Sequence, residues 1–240
     1  MPGMNGPPGP KDHQHMSKHY RSLAASCLLA AVASLSASCT APVEMGYLDR
    51  YTIAGAENYL TGYPAVNDDG TVNVVIEIPA GSNEKWEVDK RDGLLRWEQE
   101  QGRPRVVAYV GYPGNYGMVP RTLLPAELGG DGDPVDVLVI GQRVERGRIQ
   151  RCRIIGVLGL LDRGEVDDKL LAVAEGNALS DLRNLEQLDA RFPGVRVIVE
   201  TWFANYKGPG KMVVQDWSGP EEAQRILAEA VRAYDQTAGS

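Results

Sequence analysis

Six consecutive residues, Asp131-Gly132-Asp133-Pro134-Val135-Asp136, set three carboxylates just ahead of the apolar run Val137-Leu138-Val139-Ile140. Gly132 frees the backbone at this point, and Pro134 fixes φ and removes a donor. Clustered oxygen donors suit a hard divalent cation, Mg²⁺ or Ca²⁺, better than zinc, which favours His and Cys. A DxD alone also fits a solvated acidic turn, so the rest of the chain has to decide. It supplies Glu77, Glu87, Asp162 and Asp167 as further acids, Lys85, Lys169, Lys207 and Lys211 as bases, and Tyr112, Tyr116 and Tyr206 as phenols. Seven acids brought together repel one another unless they share cations, and lysines at the rim can hold a polyanion resting on those cations. Phosphoryl transfer needs this arrangement, because metals acidify bound water and neutralise charge on attacking and leaving oxygens. The three histidines are all N-terminal, at positions 13, 15 and 19. A general base in the folded part is therefore a carboxylate, Lys, Tyr or water.

These groups need elements to position them. Val72, Val74, Ile76 and Ile78 alternate onto one face of a strand with Glu77 on the other, and a turn follows at residues 79–83. Lys85 and Glu87 share a face of the next strand, opposite Trp86 and Val88. Asp92-Gly93 marks a hairpin whose return strand is 94–97. Residues 106–112 read as an apolar strand, and Pro113-Gly114-Asn115 separates Tyr112 from Tyr116. A long strand over 151–161 contains Gly156 and Gly159, which permit curvature. It ends at Asp162, and Arg163-Gly164 turns the chain into a strand carrying Asp167 and Lys169, so the hairpin brings Asp162 near Asp167. Helices are expected from Asn184 to Arg191 and over 193–207, with Tyr206 and Lys207 at the second one's C-terminal end and Gly208-Pro209-Gly210 as its stop. Ser218 with Glu221 reads as a capping box for a last helix. Curved strands followed by helices predict an α+β fold with a barrel or strongly bent sheet.

The 240 residues carry a net charge of −7, which argues against nucleic acid as a partner. With Cys27 and Cys39 in the N-terminal extension, only Cys152 remains for the folded part, so neither a disulfide framework nor a cysteine-rich metal site is expected there. Residues 1–15 are Gly/Pro-rich and read as disordered or upstream of the true start. Residues 16–39 read as a signal peptide: Met16 as an alternative start, a basic region at Lys18, His19 and Arg21, an apolar stretch from Leu23 to Leu35, then Ser36-Ala37-Ser38-Cys39. Cys39 would be the lipidated residue of an exported envelope protein, touching the membrane only through that anchor. The alternative is a cytoplasmic protein with a mis-assigned start. Residues 40–70 read as a linker and 71–240 as the domain.

The spans VVIEIP, KWEV, YPGNYG, DGDPVDVLVIG, LLDRGEVDDKLLAV and Tyr206-Lys207 resemble family I soluble inorganic pyrophosphatases, in that family's order, over residues 72 to 212. The resemblance implies an OB-like five-stranded β-barrel flanked by C-terminal helices. It also implies hydrolysis of inorganic diphosphate with several Mg²⁺ ions, or Mn²⁺ or another divalent ion. It would make Asp131, Asp136 and Asp167 ligands of a first metal, Asp136 a ligand of a second, Asp162 and Asp167 ligands of one arriving with substrate, and Glu87 the support of a fourth. Asp133 would be the base. Lys85, Tyr116, Tyr206 and Lys207 would bind phosphate, with Glu77, Tyr112, Lys169 and Lys211 supporting them. The resemblance leaves room for a homo-oligomer, since relatives form dimers or hexamers. Two departures stand out. Ungapped counting puts Gln99 where the family has a phosphate-binding arginine, leaving Arg96, Arg103 or Arg105 to supply that charge. Arg163 stands where some relatives carry an acid. Gln99 also keeps open a degenerate protein that binds diphosphate or Ca²⁺ without turnover.

Overall fold

The strand that follows the acidic loop is apolar on both faces because both are covered. In a computed structural model that describes residues 45–124, 130 and 132–238, this strand sends Val137 and Val139 into one core cluster and Leu138 and Ile140 into another. Such a strand reads as a continuous hydrophobic run rather than an alternating one.

The elements in chain order are β1 (Gly46–Asp49), β2 (Thr52–Ala54), β3 (Val72–Ile78), β4 (Trp86–Val88), β5 (Leu95–Trp97), β6 (Gln99–Glu100), β7 (Arg103–Pro104), β8 (Asn115–Met118) and β9 (Asp136–Ile140). They continue with β10 (Ile149–Asp162), β11 (Glu165–Val166), β12 (Lys169–Ala174), α1 (Leu185–Arg191), α2 (Val195–Asn205), β13 (Met212–Ser218) and α3 (Pro220–Ala238). The main sheet runs β11-β10-β12-β9-β8-β3, and β3 returns to pair with β10. Strands β3, β8, β9, β12 and β10 thus form the closed five-stranded ring expected, with the helices outside it. Gly117 permits the β3–β8 approach, since a Cβ there would run into the Val75 carbonyl oxygen.

Helix α3 lays Ala223, Ile226, Leu227 and Ala230 on the cluster containing Val137 and Val139. Helices α1 and α2 cover the other cluster with Leu185, Leu188, Val199, Trp202 and Phe203. A smaller sheet, β1-β2-β5-β4, packs on β3 through Ile53, Trp86, Leu95 and Val75. Asn184 caps α1 as read, its side chain accepting from the Gln187 N–H at 2.9 Å.

Four expectations change. All of β3 is buried, including Glu77 at 4 % exposure, and not just the face carrying Val72, Val74, Ile76 and Ile78, because the small sheet covers the other face. Residues 106–112 form no strand: Val107 and Tyr112 are buried against other segments, and the Val110 carbonyl accepts from Trp202 Nε1 at 2.9 Å. The linker reading of 40–70 fails over its described part, where β1, β2 and the buried Tyr59 lie; the Tyr59 hydroxyl donates to the Gly147 carbonyl at 2.8 Å. Ser218 is not a cap but the last residue of β13, a strand antiparallel to β10. Cys39 and the signal-like segment lie outside the described residues. Among the described residues, no helix is long and apolar enough to cross a membrane.

Candidate active site

Strands β9 and β12 are parallel, with Val137 level with Leu170. Parallel pairing puts the starts of both strands at one rim of the ring. Asp136 opens β9, Lys169 opens β12, and Asp167 precedes it by two positions. The Lys169 ammonium consequently donates to Asp136 Oδ2 at 2.5 Å and to Asp167 Oδ1 at 2.6 Å. Burial opposes the charge on Lys169, but the two carboxylates outweigh it and hold its pKa above the ordinary lysine value.

This rim is the floor of a cleft of about 230 Å³. From β4 and the residue before it come Lys85 and Glu87, ion-paired to each other as their shared face suggested. Behind them Glu77 accepts from the Val88 N–H at 2.8 Å. Burial pushes the Glu77 carboxyl up to about 8, against the pull of Lys85. From the acidic loop comes Asp133, which Lys90 meets from the β4–β5 turn. Gly132 takes φ +83°, a left-handed backbone suited to glycine. The loop is braced by the Leu124 N–H donating to the Asp133 carbonyl at 2.7 Å and the Val135 N–H to Thr122 Oγ1 at 2.9 Å.

An aromatic wall closes the far side. Trp202 stacks on Tyr206 one turn later, with centroids 4.5 Å apart, and lies 4.2 Å from Tyr112. Tyr112 itself is buried in the wall and does not line the cleft, whereas Tyr116, Tyr206 and Lys207 do. Burial, reinforced by Asp136 and Asp167, raises the Tyr116 phenol well above its ordinary value, so it stays a protonated donor. Lys207 donates to Asp162 Oδ2 at 2.7 Å.

Asp162 and Lys211 fall in a second cavity that shares Arg105, Tyr206 and Lys207 with the first. Asp131 lies outside the described residues. Among the described residues, no three carboxylates converge as a ready-made chelate; Lys169 lies between Asp136 and Asp167, Lys207 pairs with Asp162 and Lys90 with Asp133. Two features nonetheless fit a hard cation. Asp136 and Asp167 come within reach of one ammonium, and Asp162 Oδ1 is buried with no hydrogen-bond partner among the described residues.

Of Arg96, Gln99, Arg103 and Arg105, Arg105 alone lines the cleft. Gln99 is exposed on the β6–β7 hairpin and bonds back to the Trp97 carbonyl at 3.0 Å. Arg103 is exposed, and Arg96 is committed to Asp89 and Asp92. Arg105 lines both cavities, oriented by two contacts to Glu98 at 2.8 and 2.9 Å. Gly102, at φ +73°, turns β6 into β7, so Arg105 follows a hairpin that ungapped counting passes over; that glycine was the signal available in the sequence. Lys90 had no such signal, because only the fold brings its hairpin over the acidic loop.

A closed five-stranded ring carrying interleaved carboxylates and ammonium groups at one rim has the chemistry of a hydrolase that handles small phosphate anions. The sequence pattern of the inorganic pyrophosphatases matches residues 74–235, and the chain belongs to the inorganic pyrophosphatase family. It is 39 % identical over 172 residues to an inorganic pyrophosphatase of Xanthomonas campestris pv. campestris, covering 70 % of this chain and 91 % of that one. It is 36 % identical over 178 residues to that of Aquifex pyrophilus, covering 71 % and 93 %. The solved inorganic pyrophosphatase of Helicobacter pylori superposes with a TM-score of 0.60 at 31 % identity, covering 72 % of this chain and 98 % of that one.

Proposed function

We propose that the chain hydrolyses inorganic diphosphate to two phosphates in a Mg²⁺-dependent reaction, with Mn²⁺ or another divalent ion as a substitute. Family membership supports the hydrolase and its substrate. The observation that carries the site is the pairing of Asp136 and Asp167 through Lys169 at the head of two parallel strands. Asp131, Asp136, Asp162, Asp167 and Glu87 are the residues that would hold the metals. When bound, these would polarise phosphoryl oxygens and lower the pKa of the attacking water.

The remaining chemistry belongs to the chain. Asp133 takes the proton from the water. Lys85 and Tyr116 orient the phosphoryl group under attack. Arg105, Tyr206 and Lys207 neutralise and donate to the leaving phosphate, where charge builds up as the bridging bond breaks. Lys169 keeps Asp136 and Asp167 from repelling one another, Glu77 supports the β4 end, Tyr112 supports the wall, and Lys211 adds positive charge at the outer edge.

The non-catalytic reading rested on Gln99. With Arg105 in the cleft that reading has no feature left to favour it. In Asp133→Asn, phosphate release from diphosphate should fall about 10²–10⁴-fold, the usual contribution of a positioned base. Turnover retained at the wild-type rate would remove Asp133 from this role. Attachment to the envelope through Cys39 is a separate part of the proposal. Mass spectrometry of the mature N-terminus tests it, since a diacylglyceryl-modified Cys39 is expected and an intact Met16 would place the protein in the cytoplasm.

A further inference from the structure

Four lysines reach the carboxylates of the site: Lys169 with Asp136 and Asp167, Lys85 with Glu87, Lys207 with Asp162, and Lys90 with Asp133. Their side chains are 4 %, 12 %, 23 % and 56 % exposed in that order, and Asp133 is itself 43 % exposed. Separating a buried pair is costly, whereas water and salt compete with an exposed one. Lys90 is therefore the ammonium that leaves its carboxylate most easily.

The backbones on both sides of this pair are fixed. In the β4–β5 turn the Gly93 N–H donates to the Asp89 carbonyl and the Asp89 N–H to the Leu94 carbonyl, each at 2.8 Å. Arg91 and Arg96 hold the Asp89 carboxylate, and Asn58 Nδ2 donates to the Asp92 carbonyl at 2.7 Å. Across the cleft the Asp133 carbonyl is pinned by the Leu124 N–H at 2.7 Å. Parting the pair needs only the flexible four-carbon stem of Lys90 to swing. A general base must offer its oxygen to the water it deprotonates, and an ammonium on that carboxylate competes with the water. Asp131 and Asp136, which flank Asp133, would hold cations that repel the ammonium.

We propose that Lys90 is a positioning residue: it covers the Asp133 carboxylate in the metal-free chain and gives it up when divalent cations bind, so that the base is exposed only in metal-loaded protein. The role of Asp133 as base rests on the diphosphatase reading, but the pairing and its release are measurable without turnover.

The test is calorimetric Mg²⁺ binding to the full chain without substrate, for the wild type, Lys90→Gln and Lys90→Arg, and for Lys90→Gln combined with Asp133→Asn. Lys90→Gln should bind Mg²⁺ about threefold to tenfold more tightly at low salt, with the gap narrowing as salt is raised. Lys90→Arg, which keeps the charge, should stay within about twofold of the wild type. With Asp133→Asn as the reference, Lys90→Gln should change the affinity less than about twofold, because the pair is already lost. In steady-state phosphate release, Lys90→Gln should reach half its maximal rate at correspondingly lower Mg²⁺, with kcat changed less than about threefold. Melting in EDTA is the control for folding, and a purely structural role would lower Tm without altering the Mg²⁺ affinity. Unchanged or weaker Mg²⁺ binding by Lys90→Gln, or a gain that persists beside Asp133→Asn, would overturn the proposal. A wild type that shows the expected Mg²⁺ pattern but releases no phosphate from diphosphate would overturn the diphosphatase reading and leave the release of Lys90 standing.

Discussion

Lys169→Met removes the one ammonium that holds Asp136 and Asp167 together while keeping most of the aliphatic stem. The lysine side chain is 4 % exposed, and its two contacts are 2.5 and 2.6 Å. Removing one partner of a buried ion pair costs about 3–5 kcal/mol. The carboxylates here are 29 % and 28 % exposed, so water recovers part of their loss. We expect about 2–3 kcal/mol, which in a domain of this size corresponds to a fall in Tm of roughly 4–12 °C. The measurement is thermal unfolding in EDTA and then along a Mg²⁺ series. A cation shared by the two carboxylates would take over the screening that the ammonium provided; mass action stabilises both proteins, so the deficit closes by the ratio of their Mg²⁺ affinities, about 1.4 kcal/mol for each tenfold tighter binding by the variant. With tenfold tighter binding, the deficit of the variant should therefore shrink by about half as Mg²⁺ saturates. An unchanged Tm in EDTA, or a deficit that stays constant at every Mg²⁺ concentration, would refute the idea that Lys169 and the metal answer the same electrostatic need.

Two further outcomes follow from the same geometry. Arg105→Ala should lower kcat/KM for diphosphate about 10²–10³-fold, the scale of losing one transition-state donor, whereas Gln99→Ala should change it less than threefold; steady-state phosphate release distinguishes them, and the opposite ranking would return the role to position 99. Glu77 contributes a pH dependence of stability in metal-free protein. Its carboxyl is raised to about 8 in the folded chain, chiefly by burial, from an ordinary 4.5. Between these values the unfolded state ionises while the folded state keeps its proton, so stability falls as pH rises, by up to about 1.4 kcal/mol per unit. Glu77→Gln should match the wild type near pH 4.5 and be the more stable of the two at pH 8 in EDTA melts. Equal pH slopes for the two proteins would contradict the assignment.

The parts of the fold that were legible in the sequence are those with local signals. Alternation marked β3 and β4, the unbroken apolar run after Asp136 marked β9, and Asn184 marked the start of α1. What escaped depends on contacts far along the chain. The ring closes because β3 pairs with β10, and no local pattern connects Val75 to Ile149. Strand β13 exists because β10 offers it an edge, which turned Ser218 from an expected cap into a strand residue. Of residues 106–112 only Val107 and Tyr112 are buried, Tyr112 against Trp202, while Val106, Tyr109 and Val110 stay exposed, so the apolar run marks two anchor points and not a ladder strand. At the site, spacing paired Lys85 with Glu87 and put Asp167 and Lys169 on one face. The partnership of Asp136 with Lys169 spans 33 positions and comes from the parallel register alone.

That register also imposes an order of events on a newly made chain. Asp136 emerges well before Asp167, and β10 must fold back between them before β12 can slot in beside β9. A molecule halted before this last insertion has its acidic residues on separate, unaligned segments and offers an ion no two-sided grip. On the proposed metal site, tight capture would be reserved for molecules whose ring is complete, and ion affinity would double as a reporter of finished folding.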